Sequence, residues 1–188
     1  MSQNLKLTRN KIKNKLLNLS SQEVATAAQK VTHKIITHKI YKQAQHIACY
    51  VPIDNEIDIW AVIKNIWLTG KYCYLPALQP KINRLLQFVK FNEQDQLIKV
   101  RYNIPQPKIT RKNTIAAHNL DLVIIPLIGF NEHSFRLGRG SGYYDKTFAF
   151  KQNNRNTKPY LLGVGYRWQQ VKFIPNSWDM VMNEAITP

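Results

Sequence analysis

The chain carries its strongest structural signal in PLIGFNEHSFRLGRGSGYYDK, residues 126–146, which follow the apolar run DLVII of Asp121–Ile125. A short apolar run between a charge and a proline is typical of a buried strand. The FAF segment of residues 148–150 indicates a helix that begins near Tyr143. The loop between them is rich in glycine, and such loops bind anions because their backbone N–H groups can turn toward a ligand. The sequence therefore predicts an anion-binding loop at the end of a strand.

This glycine loop spans Arg136–Asp145 and has the sequence RLGRGSGYYD. Its two arginines can donate bidentate, charge-assisted hydrogen bonds to a phosphate or a carboxylate. Neither of two common phosphate motifs fits, because GxxxxGK[ST] is absent and Tyr143 stands in place of the third glycine of GxGxxG. A glycine-rich surface turn without a ligand is the alternative. The charged and aromatic side chains around the glycines favour a binding site.

Length and composition indicate a single domain over residues 1–188, with 44% hydrophobic residues and a proper core. No apolar run reaches the length of a membrane span, and no apolar segment typical of a secretory signal follows the basic N-terminus. Cys49 and Cys73 lie in apolar runs and fit small core residues in a reducing compartment. We therefore expect a cytoplasmic protein that makes no membrane contact.

The charge balance is strongly basic, with 27 Lys and Arg against 11 Asp and Glu and a net charge of +16. Such a charge attracts polyanions, either nucleic acid or anionic small molecules. A general bias of the source proteome toward lysine and asparagine is the alternative, and the scattered positions of the lysines favour it. Because no reading helix or RNA-binding strand motif accompanies the charge, nucleic acid is not the expected partner.

Two helices are predicted at the N-terminus. Residues 3–18 place apolar side chains at near-helical spacing, and Ser20-Ser-Gln-Glu23 is a capping box that starts a second helix near Ser21. Lys6 and Arg9 are three residues apart and share a face of the first helix. On sequence alone, a solvated edge is the simpler interpretation of that pair.

Strands and helices then alternate. A strand over residues 46–51 ends at Pro52, and the polar turn 53–58 follows at its carboxyl end, where open α/β sheets bind ligands. A helix ending at Gly70 comes next, and Glu56 and Asp58 can also be explained by their favourable position before its N-terminus. Further strands are predicted at 72–75, stopped by Pro76, and at 85–91, at 160–166 and near the C-terminus, with an irregular loop over 92–118. This alternation predicts an α/β layered domain.

Taken together, these motifs resemble the 5-formyltetrahydrofolate cyclo-ligases, also called methenyltetrahydrofolate synthetases. The glycine loop is the most specific match, with Gly129-Phe130-Asn131 before it and Arg136–Asp145 intact. The basic N-terminal helix, the Asn55-Glu56-Ile57 turn, the prolines of 103–107 and Trp178-Asp179 follow in family order. The resemblance extends over nearly the whole chain and implies a single-domain, three-layer α/β/α fold with a mainly parallel central sheet.

The resemblance also implies a reaction. ATP and 5-formyltetrahydrofolate, with Mg²⁺, would give 5,10-methenyltetrahydrofolate, ADP and phosphate. A formamide oxygen is a poor leaving group, so it is phosphorylated first, and nitrogen-10 then closes the ring and expels phosphate. The protein must orient the γ-phosphate toward the formyl oxygen and neutralise its charge. The basic surface offers a counterpart to the anionic tails of polyglutamylated folates, and no obligate protein partner is implied.

Residue roles follow from the same resemblance. The implied ATP site comprises Lys6, Arg9, Arg136, Leu137, Gly138, Arg139, Gly140, Ser141, Gly142, Tyr143 and Tyr144. The implied folate site comprises Val51, Glu56, Tyr102, Arg139, Gly140, Ser141, Gly142 and Tyr143. Arg136, Arg139 and Tyr143 would act in catalysis, and Asp145 and Asp179 would hold Mg²⁺.

Some positions depart from the family pattern. Leu5 stands where the family has a lysine, so Lys6 would have to substitute for it. Asn131 replaces an aspartate, Ser134 a glycine, and Lys146 an arginine in many members. Two alternatives to the enzyme stay open. The net charge of +16 keeps open a basic nucleic-acid-binding protein, and the shifted lysine keeps open a family member with weakened catalysis that only binds folate or nucleotide.

Overall fold

The computed structural model describes residues 2–78, 85–99, 104–110, 112–152, 154 and 157–188. Within these residues the helices are α1 (Ser2–Leu17), α2 (Ser21–Thr37), α3 (Lys39–Gln43), α4 (Trp60–Leu68) and α5 (Tyr143–Thr147). The strands are β1 (His46–Ala48), β2 (Tyr72–Leu78), β3 (Leu86–Lys90), β4 (Leu97–Lys99), β5 (Pro105–Pro107), β6 (Thr114–Ile115), β7 (Leu122–Pro126), β8 (Gly129–Phe130), β9 (Arg136–Leu137), β10 (Tyr160–Val164) and β11 (Glu184–Ile186).

A seven-stranded sheet with the order β11-β10-β7-β1-β2-β3-β6 forms the centre of the fold. Its strands run parallel from β11 to β2, and β3 and β6 add antiparallel pairs at one edge. Two ribbons, β4–β5 and β8–β9, lie outside this sheet. The prediction of an α/β fold with a mainly parallel sheet is confirmed.

The two faces of the sheet are covered unequally. Side chains alternate across a strand, so Ile47 packs on one face with α1, α2 and α4, whereas Ala48 packs on the other. That second face is covered by Phe148 at the end of α5, together with Met180 and Met182. The third layer is therefore thin, because a five-residue helix and an extended segment replace the long helices of the opposite side.

The N-terminal helices follow the predicted pattern closely. Ser20 and Glu23 form the capping box, with the Glu23 amide donating to Ser20 Oγ and the Ser20 amide donating to Glu23 Oε2. The buried residues of α2 are Ala27, Val31 and Ile35, which lie four positions apart and so share one face of the helix. None of the helices in the described part of the chain combines the length and hydropathy that a membrane crossing requires.

Four predictions of element bounds are wrong. Strand β1 ends at Ala48 rather than Val51, and β10 ends at Val164 rather than at residue 166. The loop over 92–118 contains β4, β5 and β6, and β2 continues through Pro76.

Strand β2 can continue through Pro76 because of the way it pairs with its neighbours. The Cys73 carbonyl points toward β3 and accepts from the Phe91 amide, whereas the Tyr74 carbonyl points toward β1 and accepts from the Cys49 amide. Because the backbone polar groups of successive residues point to opposite sides of a strand, the Pro76 nitrogen points toward the β1 side. Strand β1 has already ended there, so the missing N–H of proline costs no hydrogen bond between strands.

Asp121 ties three parallel strands together where they begin. Its Oδ2 accepts hydrogen bonds from the amides of Gln45 and His46 at 2.9 and 2.8 Å, and its Oδ1 accepts from Lys158 Nζ at 2.5 Å. Partial burial acts to raise the pKa of this carboxyl, but the hydrogen bonds from His46 and Lys158 outweigh it and lower the pKa to about 2. The ionised form is therefore the one that the fold stabilises.

Replacing Asp121 by Asn should reduce stability in a pH-dependent manner. Since the folded pKa lies below the ordinary value, the carboxylate's contribution is present above about pH 4 and is lost as the pH falls toward about 2. After allowance for solvent screening, we expect a loss on the order of 1 kcal/mol at pH 7 that shrinks toward pH 3, measured by urea unfolding. Asp95→Asn, in an exposed turn, is the matched control. A difference that stays constant with pH would contradict this assignment.

Candidate active site

A cavity of about 640 Å³ opens at the carboxyl ends of the central strands β1 and β7. Pro126 ends β7, and Tyr50 and Val51 follow β1, so the cavity lies where open α/β sheets bind their ligands. Helix α1, the glycine loop, α5 and residues 176–179 complete its wall. The residues that line it include Leu5, Arg9, Val51, Glu56, Arg136, Leu137, Gly138, Arg139, Gly140, Ser141, Gly142, Tyr143, Tyr144, Asp145, Gln152, Asn176, Trp178 and Asp179.

Arg136 is buried at the base of this cavity, with only 8% of its surface exposed. Its Nε donates to the Pro126 carbonyl at 3.1 Å, and its guanidinium lies 4.7 Å from the centre of the Tyr144 ring. Burial lowers the pKa of Arg136, while the charges of Asp145 and Glu56 act in the opposite sense. Among the described residues, no carboxylate lies within ion-pair distance of it. A buried cation in this position favours an anionic ligand.

The glycine loop is shaped by this arginine. A Cβ at Gly138 would lie 2.3 Å from Arg136 Nη1, so the backbone can pass the guanidinium only without a side chain. Gly140 has φ of 104°, a conformation that other residues adopt only with strain. The loop then enters α5, whose five residues are too few for a substantial helix dipole. The predicted anion cradle therefore depends on arginine and loop backbone more than on a helix terminus.

Arg139, in contrast, is already paired. Its Nε and Nη2 donate to Glu56 Oε1 at 3.2 and 2.9 Å, and its Nη1 donates to Asp54 Oδ2 at 2.8 Å. Burial raises the pKa of Glu56, and the nearby Arg139 charge counters that rise. The sequence prediction that Arg139 faces the ligands is incomplete, because it missed the pairing with Asp54. Arg136 is thus the arginine with the greater need of a bound anion.

The turn that carries both carboxylates is held in place from several sides. Asp54 and Asn55 have φ of 53° and 58°, and the Glu56 amide donates to the Ile53 carbonyl, which makes a type I′ turn. Asn55 Nδ2 donates to the Leu16 carbonyl of α1, and the Tyr166 hydroxyl donates to the Asn55 carbonyl. Asp-Asn is a suitable pair for such a turn, and this is the signal that could have singled out Asp54.

Helix α1 reaches the glycine loop through Arg9, whose Nε donates to the Gly138 carbonyl at 2.8 Å. Leu5 also lines the cavity, whereas Lys6 is exposed and is not among the lining residues. The helix therefore brings one of its two predicted cationic residues to the site. Because Leu5 occupies the inward-facing position, the neighbouring Lys6 side chain leaves the helix in another direction.

Asp145 and Asp179 line the same part of the cavity. The Met180 amide donates to Asp145 Oδ1 at 3.2 Å, which holds this carboxylate beside the peptide that follows Asp179. Asp179 Oδ2 accepts from the amide and side chain of Asn176 at 2.7 and 3.1 Å. No cluster of three or more His, Cys, Asp or Glu was found in the described part of the chain. Two carboxylates suit Mg²⁺, which takes its other ligands from water and phosphate.

The remaining predicted residues have mixed outcomes. Val51, Leu137, Ser141, Gly142, Tyr143 and Tyr144 all line the cavity. Tyr102 lies outside the described residues. The departures at 131 and 134 are accommodated locally, because Asn131 Oδ1 accepts from the His133 and Phe135 amides and Ser134 adopts φ of 63°. Trp178, to which the sequence interpretation gave no role, also lines the cavity.

Replacing Gly138 by Ala should weaken anion binding and also lower stability, because the new methyl group crowds the buried Arg136 guanidinium. The new methyl group displaces the end of the Arg136 side chain, so we expect the affinity for inorganic pyrophosphate to fall about 10-fold, as measured by calorimetry. Gly70→Ala is the control. It has φ of 68° and open space around it, so it should lower stability by about 1 kcal/mol and leave pyrophosphate binding unchanged. Equal effects of both changes on binding would contradict the role given to Gly138.

Known proteins of one family are similar to the chain over nearly its whole length. The family model described as the 5-formyltetrahydrofolate cyclo-ligase family matches residues 1–188. A 5-formyltetrahydrofolate cyclo-ligase of Haemophilus influenzae is 31% identical over 170 residues, which cover 90% of this chain and 89% of the relative. A protein of that name from Escherichia coli K12 is 30% identical over 171 residues, covering 90% and 92%. One from Mus musculus is 30% identical over 183 residues, covering 95% and 90%.

Two solved structures share the fold. The 5,10-methenyltetrahydrofolate synthetase of Mycoplasma pneumoniae superposes with a TM-score of 0.76 at 23% identity, covering 97% of this chain and 98% of that one. The Aquifex aeolicus 5,10-methenyltetrahydrofolate synthetase superposes with a TM-score of 0.78 at 23% identity, covering 96% and 88%. On the full-length family match and these relatives, the chain belongs to the 5-formyltetrahydrofolate cyclo-ligase family.

Proposed function

We propose that the protein catalyses the ATP- and Mg²⁺-dependent conversion of 5-formyltetrahydrofolate to 5,10-methenyltetrahydrofolate, with release of ADP and phosphate. The observation that carries this proposal is the buried Arg136 at the base of the cavity, without a carboxylate partner among the described residues. The choice of this particular reaction rests on the membership of the chain in the 5-formyltetrahydrofolate cyclo-ligase family. The cavity, at about 640 Å³, is within the range usual for small-molecule sites.

The phosphate end of the cavity contributes charge neutralisation and orientation. Arg136 is fixed by the Pro126 carbonyl and the Tyr144 ring, so its guanidinium needs little reorganisation to stabilise charge on a transferring phosphoryl group. The glycines from 138 to 142 also line the cavity, and their backbone N–H groups would be able to turn toward a bound phosphate. Arg9 holds the start of this loop at Gly138, and Tyr143 lies at its end. These residues together would align the γ-phosphate with the formyl oxygen.

The folate end is built around Glu56. This carboxylate is buried and is held by Arg139 on one side and the Ile53 amide on the other. Val51 and Tyr143 provide apolar surface for a flat ring beside it. Arg139, which Asp54 and Glu56 hold, positions Glu56 instead of approaching the phosphate directly. After phosphorylation of the formyl oxygen, nitrogen-10 would attack the formyl carbon and lose its proton to water or to the departing phosphate, and the C–O bond would break with loss of phosphate.

Asp145 and Asp179 are the residues proposed to hold Mg²⁺. Both line the cavity, and Asp145 is fixed by the Met180 amide. When bound, the cation supplies neutralisation of phosphate charge. The two carboxylates would contribute ligand oxygens to Mg²⁺, which takes its other ligands from phosphate and water.

Purified protein tests the reaction directly. With Mg²⁺-ATP and 5-formyltetrahydrofolate together, the absorbance of the methenyl product should rise in step with ADP release, and neither should appear when one substrate is omitted. A purified, folded protein that gives no absorbance change would overturn the proposed activity. ADP release without folate would indicate a different phosphate acceptor and would also count against it.

Replacing Asp145 by Asn should lower turnover on the order of 100-fold, the loss typical for removing one group that stabilises transition-state charge. The Mg²⁺ concentration for half-maximal activity should also rise, because one ligand oxygen loses its charge. Asp95→Asn, in an exposed turn of the same chain, should leave both quantities unchanged. Full activity and an unaltered Mg²⁺ dependence in Asp145→Asn would remove this residue from the metal site.

Three broader properties belong to the same proposal. One domain over residues 1–188 is supported by the family match across that range. A cytoplasmic location is supported by two buried, free cysteines, which suit a reducing compartment. Use of polyglutamylated folates is supported by the net charge of +16. Equal kcat/KM for mono- and polyglutamate substrates would count against the last.

A further inference from the structure

Trp178 combines two properties that a tryptophan of a folded protein seldom has together. It is 64% exposed, and it lines the cavity. The other tryptophans make contacts within the protein. Trp67 donates a hydrogen bond to the Phe91 carbonyl, Trp60 packs near the Phe91 ring, and Trp168 stacks on Tyr166. An exposed indole on a cavity wall offers a flat apolar surface to a ligand.

The Trp178 side chain stands on a well-defined turn. The Asn176 amide donates to Asp179 Oδ2 at 2.7 Å, and the Asp179 amide donates to the Asn176 carbonyl at 3.1 Å. Gln152 Nε2 reaches the Ser177 carbonyl at 3.4 Å and so brings the segment after α5 to the same turn. The backbone that carries Trp178 is therefore held in place at the cavity wall, and the indole is not buried by its neighbours.

The position of Trp178 relative to Asp145 and Asp179 indicates which ligand it would contact. Asp179 is the next residue, and the Met180 amide binds Asp145, so Trp178 lies beside the two carboxylates proposed to hold Mg²⁺. A nucleotide whose phosphates contact this cation extends its ribose and base outward from them. In the proposed reaction, the folate ring would instead lie on the side of Glu56 and Val51 and bring its formyl group to the γ-phosphate.

We propose that Trp178 is the platform on which the purine base of the nucleotide stacks. This inference rests on the proposed function for the identity of the nucleotide. Stacking on an aromatic ring requires only a π-face, so Trp178 contributes affinity for the base without contacting the phosphates. The affinity gained from the base is therefore separable from the affinity that Arg136 and the glycine loop give to the phosphates.

The test compares a ligand that has the base with one that lacks it. In Trp178→Ala, the inhibition constant of Mg²⁺-ADP and the KM for ATP should rise about 10-fold, within the range known for loss of one stacked base. The inhibition constant of pyrophosphate and the KM for 5-formyltetrahydrofolate should change less than about 2-fold, because neither ligand stacks on this ring. Ile174→Ala, 71% exposed on the same segment and outside the cavity lining, is the matched control and should change none of them.

Fluorescence supplies a readout that does not depend on turnover. Mg²⁺-ADP should quench tryptophan emission in the unmodified protein, and Trp178→Phe should abolish this quench while calorimetry still detects ADP binding through the remaining aromatic ring. A raised KM for 5-formyltetrahydrofolate with unchanged ADP binding would overturn the proposal in favour of the folate ring. Unchanged affinities for both ligands in Trp178→Ala would overturn it altogether. An inactive protein that still shows the quench would reject the proposed reaction alone and leave the base platform standing.

Discussion

The buried guanidinium of Arg136 is the constraint on which the cavity depends. Burying this charge is unfavourable unless hydrogen bonds and polarisable groups surround it, and the Pro126 carbonyl and Tyr144 ring supply these. Both partners belong to elements that must then lie close together, the end of β7 and the start of α5. The absence of a side chain at Gly138 follows from the same requirement, since any Cβ there would enter the space of the guanidinium.

A second arrangement controls the opposite wall. Asp54 and Glu56 share the Arg139 side chain, and Arg9 binds the carbonyl of the adjacent Gly138. The beginning of the glycine loop is thereby attached to α1 and to the turn after β1, two segments far away in sequence. The two arginines therefore have different roles. Arg139 helps to hold the loop and Glu56 in place, and Arg136 provides the buried positive charge.

Much of this architecture could be predicted from local sequence. The apolar run before Pro126 and the capping box at Ser20 depend on neighbouring residues, and both are confirmed. The end of β1 and the passage of β2 through Pro76 depend on which strand lies alongside, and a linear pattern does not contain that information. The pairing of Arg139 with Asp54 likewise joins residues 85 positions apart. The cavity-lining position of Trp178 could not be predicted either, because it depends on the packing of its turn beside α5.

The exposed mouth and charged base of the cavity have a practical consequence for handling the protein. If Arg136 binds phosphate as proposed, sulfate and inorganic phosphate should also bind it, because they resemble that group. The choice of buffer would then determine how much of the site is free. Solutions without such oxyanions would leave the guanidinium available, whereas concentrated sulfate or phosphate would compete with weaker ligands for it.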